Sequence, residues 1–160
     1  MISLTRRYQF SASHRLHSSA LTDEENASLY GKCNNPYGHG HDYTLEVTVM
    51  GRVDPNTGLL LALSDLDALV SREVLRLFSG RNINLDVPQF QSLVPSTENI
   101  VLVIRDLLRE HWRRYLGESS AYLSRVHVQE TERNGFEIAV EAPASRITKN
   151  HQLESAYVSS

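Results

Sequence analysis

The sequence predicts one α+β domain, in which an antiparallel sheet carries two helices on one of its faces. Two segments with strand-like alternation lie near the N-terminus, two segments with helical periodicity follow, and a β-hairpin signal comes last. Strands, helices and strands in this order are typical of a sheet that is covered on one face. The chain has 160 residues, which is enough for one domain with a core of its own.

The first part of the chain predicts two strands and a long connection. Residues 8–13 alternate loosely between apolar and polar side chains, and residues 43–50 do so with many β-branched residues. Between them, residues 22–26 are polar, and residues 31–40 are rich in glycine, asparagine and proline. We therefore expect a polar excursion at 22–26 and an irregular loop over 31–40.

Two helices are predicted in the middle of the chain. The first follows a turn at 54–58. Ser64 is its predicted N-cap, and Asp67, three residues later, pairs with it in the manner of a capping box. The second begins near 95–98 and ends by Gly117. Apolar residues recur at helical spacing in both segments, which predicts one buried face for each helix. These faces consist of Leu66, Leu69, Val70, Val74, Leu77 and Phe78 in the first helix, and of Ile100, Val103, Ile104, Leu107, Leu108 and Trp112 in the second.

A β-hairpin is predicted to complete the sheet. Residues 124–130 and 136–140 have strand character, and a strong turn signal at 133–135 lies between them. The remaining sequence is polar. We therefore expect a folded domain over residues 1–141 and a polar C-terminal tail over 142–160.

The composition argues against several classes of protein. A formal net charge of −3 without a basic stripe predicts that nucleic acid is not a partner. The apolar runs are far shorter than the ~18–20 residues that cross a bilayer, so no membrane segment is expected. The lone Cys33 cannot form an intramolecular disulfide, and the N-terminus lacks the apolar stretch of a secretory signal. These features predict a cytoplasmic location.

Three histidines are candidates for binding a catalytic zinc ion. His39 and His41 open a strand one residue apart, so both imidazoles point to the same face, and Gly40 between them leaves room for a close approach. His14, at the end of the first strand, is a third nitrogen donor. Three protein ligands and one open position are typical of catalytic zinc. The alternative is that each is an ordinary strand-end or surface histidine.

Cys33 is a candidate for proton transfer. It precedes His39 by six residues, and a thiol close to a divalent cation is favoured as the thiolate. Two alternatives to this role remain open: that Cys33 is a fourth zinc ligand, and that it is an inert thiol that packs as a small apolar residue.

Two segments give the sequence a resemblance to a known family. Residues 10–16 read FSASHRL and residues 31–41 read GKCNNPYGHGH. Together they resemble the zinc-binding signature of the 6-pyruvoyltetrahydropterin synthase family. The five residues between Cys33 and His39 resemble the 6-pyruvoyl type more closely than the bacterial 6-carboxytetrahydropterin synthases. The resemblance extends over about residues 4–141 and includes the matches at 54–58, 84–88, 96–99 and 129–131.

The resemblance implies a fold, an assembly and a set of roles. The implied architecture is the tunnelling fold, with four antiparallel strands and two helices in each subunit. Trimers close a barrel, and two trimers stack into a homohexamer. The implied Zn²⁺ ligands are His14, His39 and His41. Cys33 is implied to move protons on the substrate side chain, and Glu130 to anchor the pterin ring.

The pterin-binding residues also have a physical rationale. The aminopyrimidine edge of a pterin presents adjacent N–H donors, and a carboxylate such as Glu130 accepts them as a bidentate pair. Without the resemblance, Glu130 would equally be a solvent-facing strand residue. Thr97 and Glu98 are further substrate-binding candidates, although Glu98 also lies in a first helical turn, where the helix dipole favours a carboxylate. The other histidines match no ligand position and are expected on the surface or in the core: His17, His111, His127 and His151.

The chain departs from the family at one catalytic position. Family members carry an adjacent Asp-His pair after the first helix. When the chain is aligned with the family on residues 84–88, Ser79 and Gly80 occupy the positions of this pair. Neither residue is a general base near neutral pH. Three explanations are open: slow catalysis of the usual reaction, use of Cys33 with another group on a modified substrate, or pterin binding without that activity.

The activity that the resemblance implies is that of a zinc-dependent lyase of tetrahydrobiopterin biosynthesis. Its substrate is 7,8-dihydroneopterin triphosphate, which loses triphosphate while its side chain undergoes an internal redox rearrangement. The enzyme alternative is 6-carboxytetrahydropterin synthase, in which the same substrate also loses acetaldehyde. The alternative from another class is a non-catalytic pterin-binding protein, which Ser79 and Gly80 suggest.

Overall fold

Five β-strands form one sheet in the computed structural model, which describes residues 1–117 and 119–143. The order of the strands across the sheet is β3-β1-β2-β4-β5. The pairs β1–β2, β2–β4 and β4–β5 are antiparallel, whereas β3 pairs with β1 in parallel. The strands are β1 (Ile2–His14), β2 (His39–Gly51), β3 (Arg81–Asn82), β4 (Tyr122–Gln129) and β5 (Gly135–Ala139).

The short strand β3 corrects the prediction of a four-stranded antiparallel sheet, because it makes the sheet five-stranded and mixed. It has only two residues, which are too few for a periodic pattern to be recognised in the sequence. The chain reaches β1 here by turning at Gly80, whose φ of 70° lies in the left-handed region. The N–H of Gly80 donates to the carbonyl of Ser11 at 2.7 Å, just before β3 begins.

Five α-helices are found in the described part of the chain. A π-helical turn, Ser71–Leu75, joins the second to the third, and 3₁₀ turns cover Gly31–Asn34 and Pro88–Phe90. The helices are α1 (Asp23–Tyr30), α2 (Leu63–Val70), α3 (Arg76–Phe78), α4 (Ile83–Asp86) and α5 (Thr97–Leu116). The two predicted helices therefore correspond to the composite segment from α2 to α3 and to α5.

One face of the sheet forms the core of the domain. Alternate residues of β2 are fully buried on this face and pack with apolar residues of α2 and α5. The intervening residues point to the opposite face, where Glu46 pairs with Arg7 at 2.7 Å and with Arg125 at 3.3 Å. The predicted placement of the helices on one face agrees with this division. The fully buried residues of β2 are Tyr43, Leu45, Val47 and Val49.

The predicted apolar faces of the two helices are confirmed. In the first helix every member is buried except Leu77, which packs against the core while partly exposed. In α5, successive turns bury Ile100, Ile104 and Leu108, and the other three predicted members are partly buried. Helix α5 also starts and ends where predicted, after its N-cap Ser96 and before Gly117.

The predicted N-cap of the first long helix is wrong. Helix α2 starts at Leu63 without a side-chain cap, so Ser64 lies inside the first turn. Asp67, the predicted capping partner, instead accepts two hydrogen bonds from Arg6 at 2.9 and 2.6 Å and one from Tyr8 at 2.8 Å. These bonds fasten α2 to β1, which is a tertiary role that a local capping pattern does not reveal.

Helix α1 lies in the segment predicted to be a polar excursion. A capping box joins Thr22 and Glu25 at its start, and Asn26 is its only buried residue. A helix that is polar on nearly every face has no apolar stripe by which to be recognised. The predicted loop over 31–40 is also partly regular, since it contains the turn Gly31–Asn34 and its last two residues begin β2.

The closing hairpin is confirmed, with β4 and β5 paired antiparallel. The domain boundary at 141 stays a prediction, and the predicted tail over 142–160 lies almost wholly outside the described residues. In the part of the chain that the structure describes, no helix has the length and the apolar character that a membrane crossing requires.

Candidate metal centre

The ends of β1 and β2 bring the three predicted histidines together. His14 is the last residue of β1 and His39 the first of β2, and the two are opposite each other in the sheet. His41 follows on the same face of β2. One nitrogen from each ring lies within 4.8 Å of the other two, and the Nε2 atoms of His14 and His39 are 3.2 Å apart. No other such group of potential metal ligands occurs among the described residues.

The orientation of His14 is fixed by the backbone. Its Nδ1 lies 2.7 Å from the carbonyl oxygen of Pro95, so this nitrogen carries the proton and donates, and Nε2 is left as the ligand atom. Burial is also the main cause that lowers the pKa of His14 and of His39. Both rings are therefore favoured in the neutral form that binds metal.

The residues present fit a zinc ion. The Nε2 of His41 is buried and has no hydrogen-bond partner among the described residues. A buried ring nitrogen is normally paired, so an ion that accepts its lone pair explains the arrangement. Tetrahedral zinc with Zn–N bonds of ~2.0–2.1 Å requires nitrogens roughly 3.3 Å apart, which is close to the separation between His14 and His39.

The glycine that the close packing requires is Gly38 rather than Gly40. A Cβ added at Gly40 would lie 3.7 Å from the carbonyl oxygen of Ala12, which is ordinary contact. A Cβ added at Gly38 would lie 2.8 Å from the carbonyl oxygen of His14, and Gly38 has a φ of 70°. The prediction that Gly40 makes room is therefore corrected: the tight approach is between the loop before β2 and the end of β1.

Glu130 and Thr97 are brought to the edge of the histidine cluster. The hydroxyl of Thr97 donates to Oε1 of Glu130 at 2.8 Å, and Thr97 is almost fully buried. The same oxygen lies 3.5 Å from Nε2 of His14 and 3.7 Å from Nε2 of His41. Thr97 thus orients the carboxylate beside the position that a metal would occupy.

Cys33 is not part of the histidine cluster, and its turn is bonded to the chain just after His14. Its carbonyl accepts a hydrogen bond from the N–H of Leu16 at 2.8 Å, which ties the turn Gly31–Asn34 to the chain that leaves β1. Burial, and then the negative charge of Glu130, raise the pKa of the Cys33 thiol. The geometry gives no support to the alternative in which Cys33 is a fourth ligand.

The remaining predicted residue and the other histidines lie elsewhere. Glu98 is exposed in the first turn of α5, and the helix is capped by Ser96 instead. His127 lies 3.8 Å from Glu46 on the opposite face of the sheet. The other two described histidines contact Asn34 and Glu73: they are His17 and His111. His151 is outside the described residues.

Tyr43 is a site residue that the sequence reasoning missed. It is fully buried, and its hydroxyl has no hydrogen-bond partner among the described residues. Burial, and then the charge of the Glu130 carboxylate, raise the pKa of Tyr43 well above its usual value, so the phenol stays protonated. Its position two residues after His41 on the same strand face is the signal that could have found it.

A cavity of about 350 Å³ opens beside His41. Gly80 contributes to its wall. A Cβ added at Gly80 would meet no atom within 4 Å. The other lining residues are Ser11, Ala12, Ser13, Gly40, Asp42, Arg81 and Asn82.

Comparisons with known proteins identify the family of the chain. The family model described as 6-pyruvoyl tetrahydropterin synthase matches residues 3–141. A 6-pyruvoyl tetrahydrobiopterin synthase of Poecilia reticulata is 45% identical over 131 residues, which are 82% of this chain and 85% of that protein. The Homo sapiens protein of the same name is 47% identical over 107 residues, 67% of this chain and 74% of its own length.

A solved structure extends the likeness to the fold. The 6-pyruvoyl tetrahydropterin synthase of Caenorhabditis elegans superimposes with a TM-score of 0.79 at 36% sequence identity. The match covers 88% of this chain and 96% of that one. The chain therefore belongs to the 6-pyruvoyl tetrahydropterin synthase family.

Proposed function

We propose that this protein is a zinc-dependent lyase of the 6-pyruvoyl tetrahydropterin synthase type, acting on 7,8-dihydroneopterin triphosphate with loss of triphosphate. The observation that carries the proposal is the meeting of three histidine nitrogens with a carboxylate directly beside them. This arrangement offers a metal and a pterin anchor within one site. The relatives at 45% and 47% identity are named for the 6-pyruvoyl reaction, which favours it over the 6-carboxy alternative.

Each residue of the site has a distinct task in this proposal. A zinc ion on His14, His39 and His41 would polarise the side-chain oxygens of the substrate and favour the thiolate of Cys33. Glu130 accepts the N–H groups of the aminopyrimidine edge, and Thr97 holds its carboxylate in place. Cys33 exchanges a proton with the substrate side chain.

The replacement of the Asp-His pair by Ser79 and Gly80 is expected to weaken or change turnover. Loss of one positioned acid–base group commonly costs about 10²–10⁴ in rate. None of the described histidines outside the cluster lies at the metal centre, so no further imidazole there takes the place of the missing pair. A slow synthase, a synthase with a modified substrate and a pterin-binding relative without that activity therefore stay as the three explanations of the replacement.

One experiment tests the proposed reaction against its alternatives. The zinc-loaded protein is incubated with dihydroneopterin triphosphate, and the products are identified. Release of triphosphate with formation of the 6-pyruvoyl product supports the synthase, whereas additional release of acetaldehyde supports the 6-carboxy reaction. Tight binding of the pterin without any product supports a non-catalytic relative, and neither binding nor product would contradict the proposal.

The assembly and location are part of the same proposal. We propose a homohexamer of two stacked trimers, because subunits that pair edge to edge would cover the open edges of the sheet. We also propose a cytoplasmic location, since Cys33 is a free thiol that the reaction uses.

A further inference from the structure

Tyr43 is a fully buried residue whose hydroxyl has no role in the proposed function as described so far. Its ring stacks on Phe10 with the centroids 5.0 Å apart and the planes at 16°. It also lies 5.6 Å from the ring of His41. Because these rings confine it, the hydroxyl cannot turn away to reach solvent.

Among the residues that the structure describes, the hydroxyl of Tyr43 has no hydrogen-bond partner although it is buried. Buried hydroxyls in folded proteins are nearly always paired, since they lose their hydrogen bonds to water. An unpaired one beside a proposed active site indicates that its partner moves into place when the site is filled.

The carboxylate of Glu130 is the group best suited to be that partner. Oε1 of Glu130 lies 3.7 Å from Nε2 of His41, whose ring is 5.6 Å from that of Tyr43. The charge of this carboxylate also raises the pKa of Tyr43. Oε1 of Glu130 already accepts the hydroxyl of Thr97 at 2.8 Å. A carboxylate has about four lone-pair positions, so a second hydroxyl donor and the N–H groups of a ligand can be accepted as well.

We propose that Tyr43 is a positioning residue whose hydroxyl donates a hydrogen bond to Glu130 once the histidines hold their metal. Thr97 and Tyr43 then hold the carboxylate from two directions, and its remaining lone pairs face the pterin. This inference rests on the proposed function, in which Glu130 binds the pterin ring. The hydroxyl of Tyr43 thereby restricts the movement of the Glu130 carboxylate. A phenylalanine has nearly the same shape but no hydroxyl, so it would not do this.

The test is a double-mutant cycle between Tyr43 and Glu130 in the zinc-loaded protein. Tyr43→Phe removes the hydroxyl and keeps the ring, and Glu130→Gln keeps the shape of the acceptor without its charge. Binding of neopterin is measured by its fluorescence. Tyr43→Phe should raise the dissociation constant about 5- to 20-fold with unchanged zinc content. In the Glu130→Gln background the same change should have little further effect.

Unfolding of the same four zinc-loaded proteins without pterin provides a second readout. The shifts in the denaturation midpoint should also be non-additive, because the two groups contact each other in the folded protein only. Tyr8→Phe is the matched control. Its hydroxyl donates to Asp67 at 2.8 Å, so its loss should leave neopterin affinity unchanged and should add to the effect of Glu130→Gln.

The outcomes separate this inference from the proposed function. If Glu130→Gln weakens neopterin binding but Tyr43→Phe has no effect, or has the same effect in both backgrounds, the role of Tyr43 is refuted and the function stands. If the unsubstituted protein binds no neopterin, the proposed function fails. The unfolding cycle then decides the inference alone: coupling supports the contact between Tyr43 and Glu130, and additivity overturns it.

Discussion

The three histidines of the candidate centre are held in unequal ways, and this determines how each contributes to metal binding. His14 is only 1% exposed and is oriented by the Pro95 carbonyl, so its Nε2 faces the cluster without rearrangement. His39 and His41 are partly exposed, and the buried Nε2 of His41 has no hydrogen-bond partner in the part of the chain that the structure describes. The pairing of this nitrogen therefore depends on the ion.

Replacing either His39 or His41 by alanine should remove most of the zinc from the purified protein. Each change deletes one of three nitrogen ligands, so the loss of affinity should exceed the ~10–100-fold that removal of an outer-shell partner costs. Elemental analysis after dialysis measures zinc per chain, with about one equivalent expected for the unsubstituted protein. His127→Ala is the control, because His127 lies on the opposite face of the sheet. Undiminished zinc in both variants would contradict the assignment.

Replacing Cys33 by alanine should lower the turnover of dihydroneopterin triphosphate by about 10²–10⁴-fold. Zinc content and neopterin affinity should stay unchanged, because Cys33 is outside the histidine cluster. The effect is therefore expected in kcat rather than in binding, which steady-state kinetics and a fluorescence titration distinguish. If zinc is lost together with activity, Cys33 is a ligand and not a proton carrier.

At the residue scale, the sequence reveals groups with distinctive chemistry and spacing, but not groups whose role depends on burial. His39 and His41 are recognisable because they are one residue apart at the start of a strand. Thr97 is recognisable only as part of a resemblance, and its hydrogen bond to Glu130 joins residues 33 positions apart. Tyr43 reads as an ordinary strand residue until its hydroxyl is seen to be buried and unpaired.

At the scale of elements, α1 owes its position to one buried side chain. Asn26 accepts a hydrogen bond from the N–H of Ser18 at 2.7 Å, and its amide group donates to the carbonyls of Ser18, Leu21 and Thr22. A single buried polar residue has no periodicity, so sequence patterns predict the apolar faces of α2 and α5 but not α1. The π-helical turn after α2 is likewise invisible, because its residues continue an ordinary helical pattern.

Replacing Asn26 by alanine should destabilise the protein by about 2–4 kcal/mol, since this fully buried side chain makes four hydrogen bonds to the backbone that alanine cannot make. Chemical denaturation measures the loss. Activity should fall as well, because α1 leads directly into the turn that holds Cys33. Glu25→Ala is the matched control: it removes an exposed capping bond and should cost only about 0.5–1 kcal/mol. Equal effects of the two changes would refute the role given to Asn26.

The turn before β3 is the element in which the missing relay can be restored. We expect the double change Ser79→Asp, Gly80→His to raise turnover of dihydroneopterin triphosphate, by up to the ~10²–10⁴ that a positioned base contributes. Neopterin affinity should change little, because Glu130 still holds the ring. The space beside Gly80 is open, but its φ of 70° makes any side chain there strained by about 1–2 kcal/mol.

The control for this change is Ser79→Asp, Gly80→Ala, which carries the same backbone strain without an imidazole. It should lose the same stability and gain no activity. Wild-type protein that already turns over as fast as ordinary family members would refute the idea that Ser79 and Gly80 limit the rate. A group other than this pair would then supply the base.

At the scale of the whole molecule, the sheet of one subunit has two open edges. β5 pairs only with β4, and β1 is covered by β3 at Ala12 and Ser13 alone within the described residues. Open edges of this length promote association. The open edges support the proposed closure of subunits into a barrel. A single sequence does not reveal this closure, because the strands that would pair belong to different chains.

Replacing Ala139 by proline should dissociate the proposed hexamer while leaving the subunit folded. The N–H of Val140 donates to the carbonyl of Ser124 on β4 at 2.8 Å, so the N–H of the preceding Ala139 points away from β4. Proline removes only this outward donor, which an edge strand tolerates. Light scattering should therefore give about six times the 18.1 kDa chain mass for wild type and for the control Ala139→Ser, but a smaller species for the proline variant. A hexamer that survives the proline would show that this edge does not join subunits, and a monomeric wild type would remove the barrel altogether.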